Sequence, residues 1–173
     1  MLLVFTGNGK GKTTAALGQA LRSVGEGKKV LMVQFIKGPW KSGEDDSYKL
    51  LAPNFELKKM GKGFVGILND QLPREEHEKA AAGALAYARE EAESGKWNML
   101  ILDEVNNAVA LNLIKKEEVL AFVDAALPKL EHLILTGRDA LQEFIERADL
   151  VTEMRDVKHP YDQGIKAKRG LEY

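Results

Sequence analysis

Short apolar runs recur along this chain with helix-patterned segments between them, and that alternation restricts the fold more than any other feature. The runs read LLVF at Leu2–Phe5, VLMVQF at Val30–Phe35, FELKKM at Phe55–Met60, MLIL at Met99–Leu102, HLIL at His132–Leu135 and LVTEM at Leu150–Met154. Most are nearly continuous, as strands covered on both faces of a parallel sheet must be. Phe55–Met60 and Leu150–Met154 alternate instead and read as edge strands. Between the runs, Lys12–Val24, Pro73–Ser94, Lys115–Leu127 and Asp139–Arg147 read as helices, the second with Pro73 at its first helical position and Gly95 at its end. The pattern predicts a doubly wound α/β fold, a mostly parallel sheet with flanking helices. A length of 173 residues fits one domain, residues 1–173, on a prior of roughly 100–200 residues per domain.

Three stretches depart from this grammar: Lys37–Tyr48, Gly61–Leu72 and the tail from Asp156. Loops so long in a compact domain are usually functional or disordered. The tail lacks the periodicity of a strand or helix and is expected to wrap over the fold or partly disorder. With 25 basic and 26 acidic residues, the chain has no general attraction for nucleic acid or anionic membrane, so its ligand must be recognised locally. The absence of cysteine excludes a disulfide scaffold, a thiol nucleophile and thiolate metal sites. No apolar run approaches the ~20 residues of a membrane-spanning helix, and the N-terminus lacks the pattern of a secretory signal. A cytoplasmic location is expected.

The first apolar run leads into TGNGKGKTT at Thr6–Thr14, close to the phosphate-binding template G-x-x-x-x-G-K-[ST] but one residue short. Gly7 and Gly11 enclose three residues where the template has four. The setting is otherwise right: a strand, a turn through Gly7, Gly9 and Gly11, then a helix. Glycines let backbone N–H groups converge on an anion, and the helix N-terminus adds unpaired donors. Gly7, Asn8, Gly9, Lys10, Gly11, Lys12, Thr13 and Thr14 are therefore the candidate nucleotide-binding residues. Lys12 is placed to neutralise phosphate, and the Thr13 hydroxyl to ligate Mg²⁺. The competing reading is a flexible Gly/Lys turn. Asp103 and Glu104 close the run MLIL and reach the sheet edge where open α/β folds bind ligands. Either carboxylate is a candidate for Mg²⁺, directly or through water, or simply marks the arrival of the chain in solvent. Arg138 follows another strand to the same edge, as a phosphate or carboxylate contact or as an ordinary surface arginine. The three histidines are too scattered for a metal site. His77, in REEHEK, is expected to be solvated, and His132 structural. No nucleophile–base pair is evident, so reactivity must come from a substrate or cofactor.

TGNGKGKTTAALG (Thr6–Gly18), QFIKGPWKSGE (Gln34–Glu44), ILDEVNNAV (Ile101–Val109), LTGRD (Leu135–Asp139) and VKHPYDQGIKAKRGLEY (Val157–Tyr173) occur in this order. Together they resemble the ATP:corrinoid adenosyltransferases of the cob(I)alamin type, over nearly the whole chain. The resemblance implies a P-loop NTPase core of the recombinase-like kind. In that family the glycine loop is characteristically short and holds ATP reversed, with the ribose C5′ toward the incoming nucleophile. The implied reaction is attack of cobalt(I) in a corrinoid on C5′ of ATP, forming a Co–C bond and releasing tripolyphosphate. The implied setting is adenosylcobalamin synthesis or salvage.

The resemblance further implies Mg²⁺ or Mn²⁺ held by Thr13 and Glu104 with Asp103 close behind. It implies an electron donor such as a flavoprotein or other reductase, and a homodimer. Catalytic roles fall to Lys12, Glu104 and Phe64, the last shaping the corrin pocket. Family members commonly read G-F-T-W where this chain has Gly63, Phe64, Val65 and Gly66. Many also carry an extension before the first strand, which here begins at Leu2. Either another segment covers the active site or the site is more open. A γ-phosphate-cleaving ATPase and a non-catalytic ATP-dependent binding module are the rival readings.

Overall fold

The computed structural model describes residues 1–67 and 70–171. Strands β1 (Leu2–Thr6), β2 (Val30–Gln34), β3 (Phe55–Lys59), β4 (Met99–Asp103), β5 (His132–Thr136) and β6 (Leu150–Glu153) form a single sheet in the order β3-β2-β4-β5-β1-β6. Every adjacent pair is parallel. Helices α1 (Lys12–Gly25), α2 (Glu44–Ser47), α3 (Arg74–Glu93), α4 (Val105–Ala110), α5 (Lys116–Ala126) and α6 (Gln142–Arg147) supply the connections.

The continuous apolar runs are explained by two cores. Leu31, Val33, Leu100, Leu102, Leu133 and Leu135 join one with α3, α4 and α5 through residues such as Ala84, Val109 and Phe122. Their neighbours Val30, Met32, Met99, Ile101 and Ile134 join the other with Ala16 and Ala20 of α1. Successive strand residues point to opposite faces, so a strand buried twice must be apolar at every position. The alternating strands β3 and β6 lie at the two edges, as their patterns predict, and all four β6 residues are exposed.

Several boundaries differ from expectation. Pro73 stands just before α3 rather than inside it, and α6 begins at Gln142 because Asp139 takes a left-handed φ of 53°. The short helix α4 has no sequence signature and starts directly after Glu104. Within the Lys37–Tyr48 stretch the chain forms α2, followed by the tight turn Tyr48–Leu51, and the Ser42 amide donates to Asp45 Oδ2 at 2.8 Å. The tail from Asp156 buries little of itself. A helical turn in it, Pro160–Gln163, is capped by His159 Nδ1, which accepts from the Tyr161 amide. Parts of the Gly61–Leu72 and tail segments, at Leu68, Asn69, Glu172 and Tyr173, lie outside the described residues. Among the described residues no helix is long and apolar enough to cross a membrane.

Candidate functional site

At the carboxyl edge of the sheet, β1 delivers Thr6 and the chain turns through Gly7–Gly11 into α1. Gly7 sits at φ +96°, and a Cβ there would lie 2.4 Å from the Met154 carbonyl oxygen, so both conformation and space demand glycine. The Gly9 amide donates to that same carbonyl at 2.7 Å, and the Met154 amide donates to Thr6 O at 2.8 Å. The loop is thus braced on the end of β6. This engages the Gly9 N–H, one of the amides expected to face an anion. Lys12 is 8% exposed and curls back, its Nζ donating to Gly7 O at 2.8 Å and Gly9 O at 2.7 Å. Burial lowers its pKa, with the charge of Glu104 opposing. Asn8, Lys10 and Thr14 are exposed.

Asp103 ends β4 in complete burial, not at the solvent edge. Its Oδ1 accepts from Thr13 Oγ1 at 2.8 Å and Thr136 Oγ1 at 2.7 Å, and its Oδ2 from Gln34 Nε2 at 3.0 Å. Burial raises its pKa against these donors and the charge of Lys37. Glu104 takes a left-handed φ of 64° as the chain turns into α4, a conformation costing roughly 1–2 kcal/mol for a residue with a Cβ. Thr136 Oγ1 accepts from its amide at 2.9 Å, so one hydroxyl ties both acidic residues to β5. Burial, then the charge of Asp103, pushes the Glu104 carboxyl up to about 7, despite Lys12, Lys37 and Arg138 nearby.

Thr13, Asp103 and the backbone of Glu104 are joined by hydrogen bonds, and Lys12, Lys37 and Arg138 surround them with positive charge. The Arg138 side chain is at the exposed rim, its amide held by Asn107 Oδ1 at 2.7 Å. The sequence reading missed Gln34, Lys37, Glu44, Asn106 and Asn107. Lys37 pairs with Glu44, whose Oε1 also accepts from Gln34 Nε2 at 3.4 Å. That chain of contacts connects the loop after β2 to Asp103. All five fall within QFIKGPWKSGE and ILDEVNNAV, two of the segments that carry the family resemblance, but neither segment singles them out individually. Asn106 donates to Gly137 O at 3.3 Å. Among the described residues, Gln34 Oε1 and Asn106 Oδ1 are buried without a partner, a state that a bound group or water ordinarily relieves.

Phe64 stands apart from this cluster, in the loop after β3. It is 46% exposed and lies against Trp40, itself 60% exposed, with ring centroids 5.7 Å apart. His77, expected in solvent, is instead 3% exposed, with Nε2 2.9 Å from Asp70 Oδ2. The polar stretch REEHEK conceals it because α3 rolls that one position inward beside Ala81, Ala84 and Leu85.

Cations around a glycine loop suit a polyanion. Among the described residues no three His, Cys, Asp or Glu side chains converge as a metal cage.

The profile of the family described as ATP:corrinoid adenosyltransferase BtuR/CobO/CobP matches residues 1–173. The chain is 41% identical over 174 residues to the corrinoid adenosyltransferase of Escherichia coli (strain K12), covering 100% of this chain and 85% of that one. It is 40% identical to the corrinoid adenosyltransferase CobA of Salmonella typhimurium, with the same coverage. The solved structure of a KaiC-like protein from Pyrococcus horikoshii OT3 superposes with a TM-score of 0.55 at 17% identity, over 91% of this chain and 72% of that one. The shared fold extends to that P-loop architecture. With the family matched from the first residue to the last and relatives this similar along the whole length, the chain belongs to the ATP:corrinoid adenosyltransferases.

Proposed function

We propose that the enzyme transfers the 5′-deoxyadenosyl group of ATP to the cobalt(I) of a corrinoid. The observation that carries this reading is the cluster of Lys12, Thr13, Asp103 and Glu104 under a shortened glycine loop, in a chain matched throughout by the family. Cobalt(I) supplies an electron pair to C5′ and becomes formally cobalt(III) as the Co–C bond forms. The C5′–O bond breaks, and its pair leaves on tripolyphosphate. No side-chain nucleophile is required, so the protein contributes positioning and charge neutralisation.

Residues Gly7 to Thr14 hold the triphosphate, and Lys12 exchanges its two carbonyl partners for phosphate oxygens. Arg138 supplies further positive charge from the rim. Mg²⁺ or Mn²⁺ fits Thr13 Oγ1 and the Glu104 carboxylate, with Asp103 orienting the Thr13 hydroxyl. When bound, the cation neutralises charge on the triphosphate. Phe64 faces the corrin. The working protein is a single-domain cytoplasmic homodimer, active in adenosylcobalamin synthesis or salvage and supplied with electrons by a flavoprotein or another reductase.

Glu104, titrating at about 7, also has the properties of a general base, which favours γ-phosphate hydrolysis as the second reading. Product analysis with ATP and reduced corrinoid separates the two. Tripolyphosphate formed one-for-one with adenosylated corrinoid is expected. ADP with phosphate would instead establish the ATPase, and unchanged ATP a binding module.

A further inference from the structure

The segment carrying Phe64 is anchored on both sides. Upstream, the Gly63 amide donates to Ile36 O at 2.8 Å, and a Cβ at Gly63 would lie 2.6 Å from the Trp40 ring. Val65 packs against the larger core. Downstream, everything gathers on Asp70. Its Oδ2 accepts from the Gly66 amide at 2.9 Å and lies 2.9 Å from His77 Nε2, while its Oδ1 accepts from the Leu72 amide at 3.1 Å. The side chains of Asp70 and His77 are 9% and 2% exposed. The Gly66 and Leu72 amides, with His77, hold the Asp70 carboxyl below its usual range.

A polar pair in such burial is costly unless satisfied, and satisfied it selects one geometry. Here the geometry is a turn with Gly66 at φ +68°, a conformation a bulky residue adopts only under strain. The segment also adjoins the nucleotide end. The Met60 and Gly61 amides both donate to Gln34 O, at 3.0 and 3.1 Å, and the Gln34 side chain binds Asp103.

We infer that Asp70 and His77 are positioning residues for the corrinoid. Their buried contact fixes the turn at Gly66 and so presents Phe64, packed on Trp40, as the flat apolar face that meets the macrocycle. This rests on the corrin-facing role given to Phe64 above. His77→Leu removes the anchor, and His77→Gln keeps a donor near the position of Nε2. Both are made in a Trp97→Phe background, which leaves Trp40 as the fluorescent reporter.

The expected result for His77→Leu is a corrinoid KM raised about tenfold, the scale of one lost buried hydrogen bond, with the KM for ATP within about twofold of its starting value. Trp40 becomes more accessible to iodide, and His77→Gln restores most of both properties. If His77→Leu does not fold, Asp70→Asn gives the same readouts. An unchanged corrinoid KM, or equal rises in both KM values without rescue by glutamine, overturns the inference. Phe64→Ala separates the two levels: no change in corrinoid KM there rejects the corrin-facing role itself. A large change there beside a silent His77→Leu rejects only the anchor.

Discussion

The glycine-loop end and the aromatic end of the sheet edge are built by different means. At the glycine-loop end, the clustered polar groups sit at element boundaries: Lys12 opening α1, Asp103 and Glu104 at the end of β4, Thr136 closing β5. The sheet hydrogen bonds place them, and short contacts such as Thr13 to Asp103 finish the arrangement. At the aromatic end, Trp40 and Phe64 ride on long loops. They are held by individual side chains reaching across the fold: Asp70 with His77, and Lys59, whose Nζ donates to both Trp40 O and Asp45 Oδ2 at 2.6 Å. A region set by the sheet is fixed by many backbone bonds at once. One set by a few side-chain bonds can be loosened one bond at a time, leaving the other end intact.

The largest effect should come from Gly7→Ala. A Cβ 2.4 Å from a backbone oxygen at positive φ gives a penalty on the order of 3 kcal/mol, so ATP affinity falls ~100-fold. Isothermal titration with ATP measures it, and near-normal binding would show that the loop yields as readily as the aromatic end.

Lys12→Ala removes a charge-assisted contact of ~1.5–3 kcal/mol, a loss of roughly 10- to 150-fold in kcat/KM. Steady-state kinetics at low ATP are the check, and unchanged turnover contradicts the triphosphate role.

Phe64→Ala should separate the ends by substrate form. If Phe64 faces the corrin as proposed and its packing eases reduction of cobalt(II), this variant should lose most when cobalt(II) corrinoid is reduced on the enzyme and much less when cobalt(I) is supplied. Each ~59 mV of lost potential shift is tenfold in the reduction equilibrium. Equal losses in both assays would mean only a packing defect.

Glu104→Gln tests the acidic cluster without chemistry. A carboxyl with an ordinary value of 4.5 is raised to about 7 in the fold, so the native state holds the proton more tightly. The group is neutral in effect below pH 4.5 and destabilises progressively as pH rises to 7, by up to about 3 kcal/mol. With no nucleotide or cation added, the variant should melt higher than the parent at pH 8, by up to roughly 10 °C. The gap should close toward pH 4.5, and the dependence of activity on Mg²⁺ should weaken. A pH-independent difference in Tm would refute the assignment. The smallest effect is expected from Lys59→Ala, a partly exposed pair worth about 1 kcal/mol or less. Corrinoid KM should rise by under about fivefold and ATP binding should not move.

The same contrast decides what could be read from the chain alone. The strands, their edge or interior places, the glycine loop and the Asp103–Glu104 step all follow from local pattern, because strand burial and strand-end chemistry leave marks within a few residues. His77 does not: its burial depends on how α3 rolls against the sheet, and its partner Asp70 lies in a loop with no period. Gln34, Lys37, Glu44, Asn106 and Asn107 escaped for a related reason. Each gains its place through a partner on another element, and polar residues inside or beside loops look alike until those elements meet. The run Leu150–Met154 was legible as a strand, but not that Met154 and Arg155, just before the unpatterned tail, crowd the glycine loop.

That crowding makes the shape of the glycine loop depend on a strand far along the chain. The first strand made, β1, pairs with the last two, β5 and β6, and the bond from the Gly9 amide to Met154 O spans nearly the entire chain. Contacts of such long range close late in folding. The glycine loop therefore gains its brace only when the end of β6 is in place, and a chain cut before Met154 would lack the bond that holds the Gly9 amide.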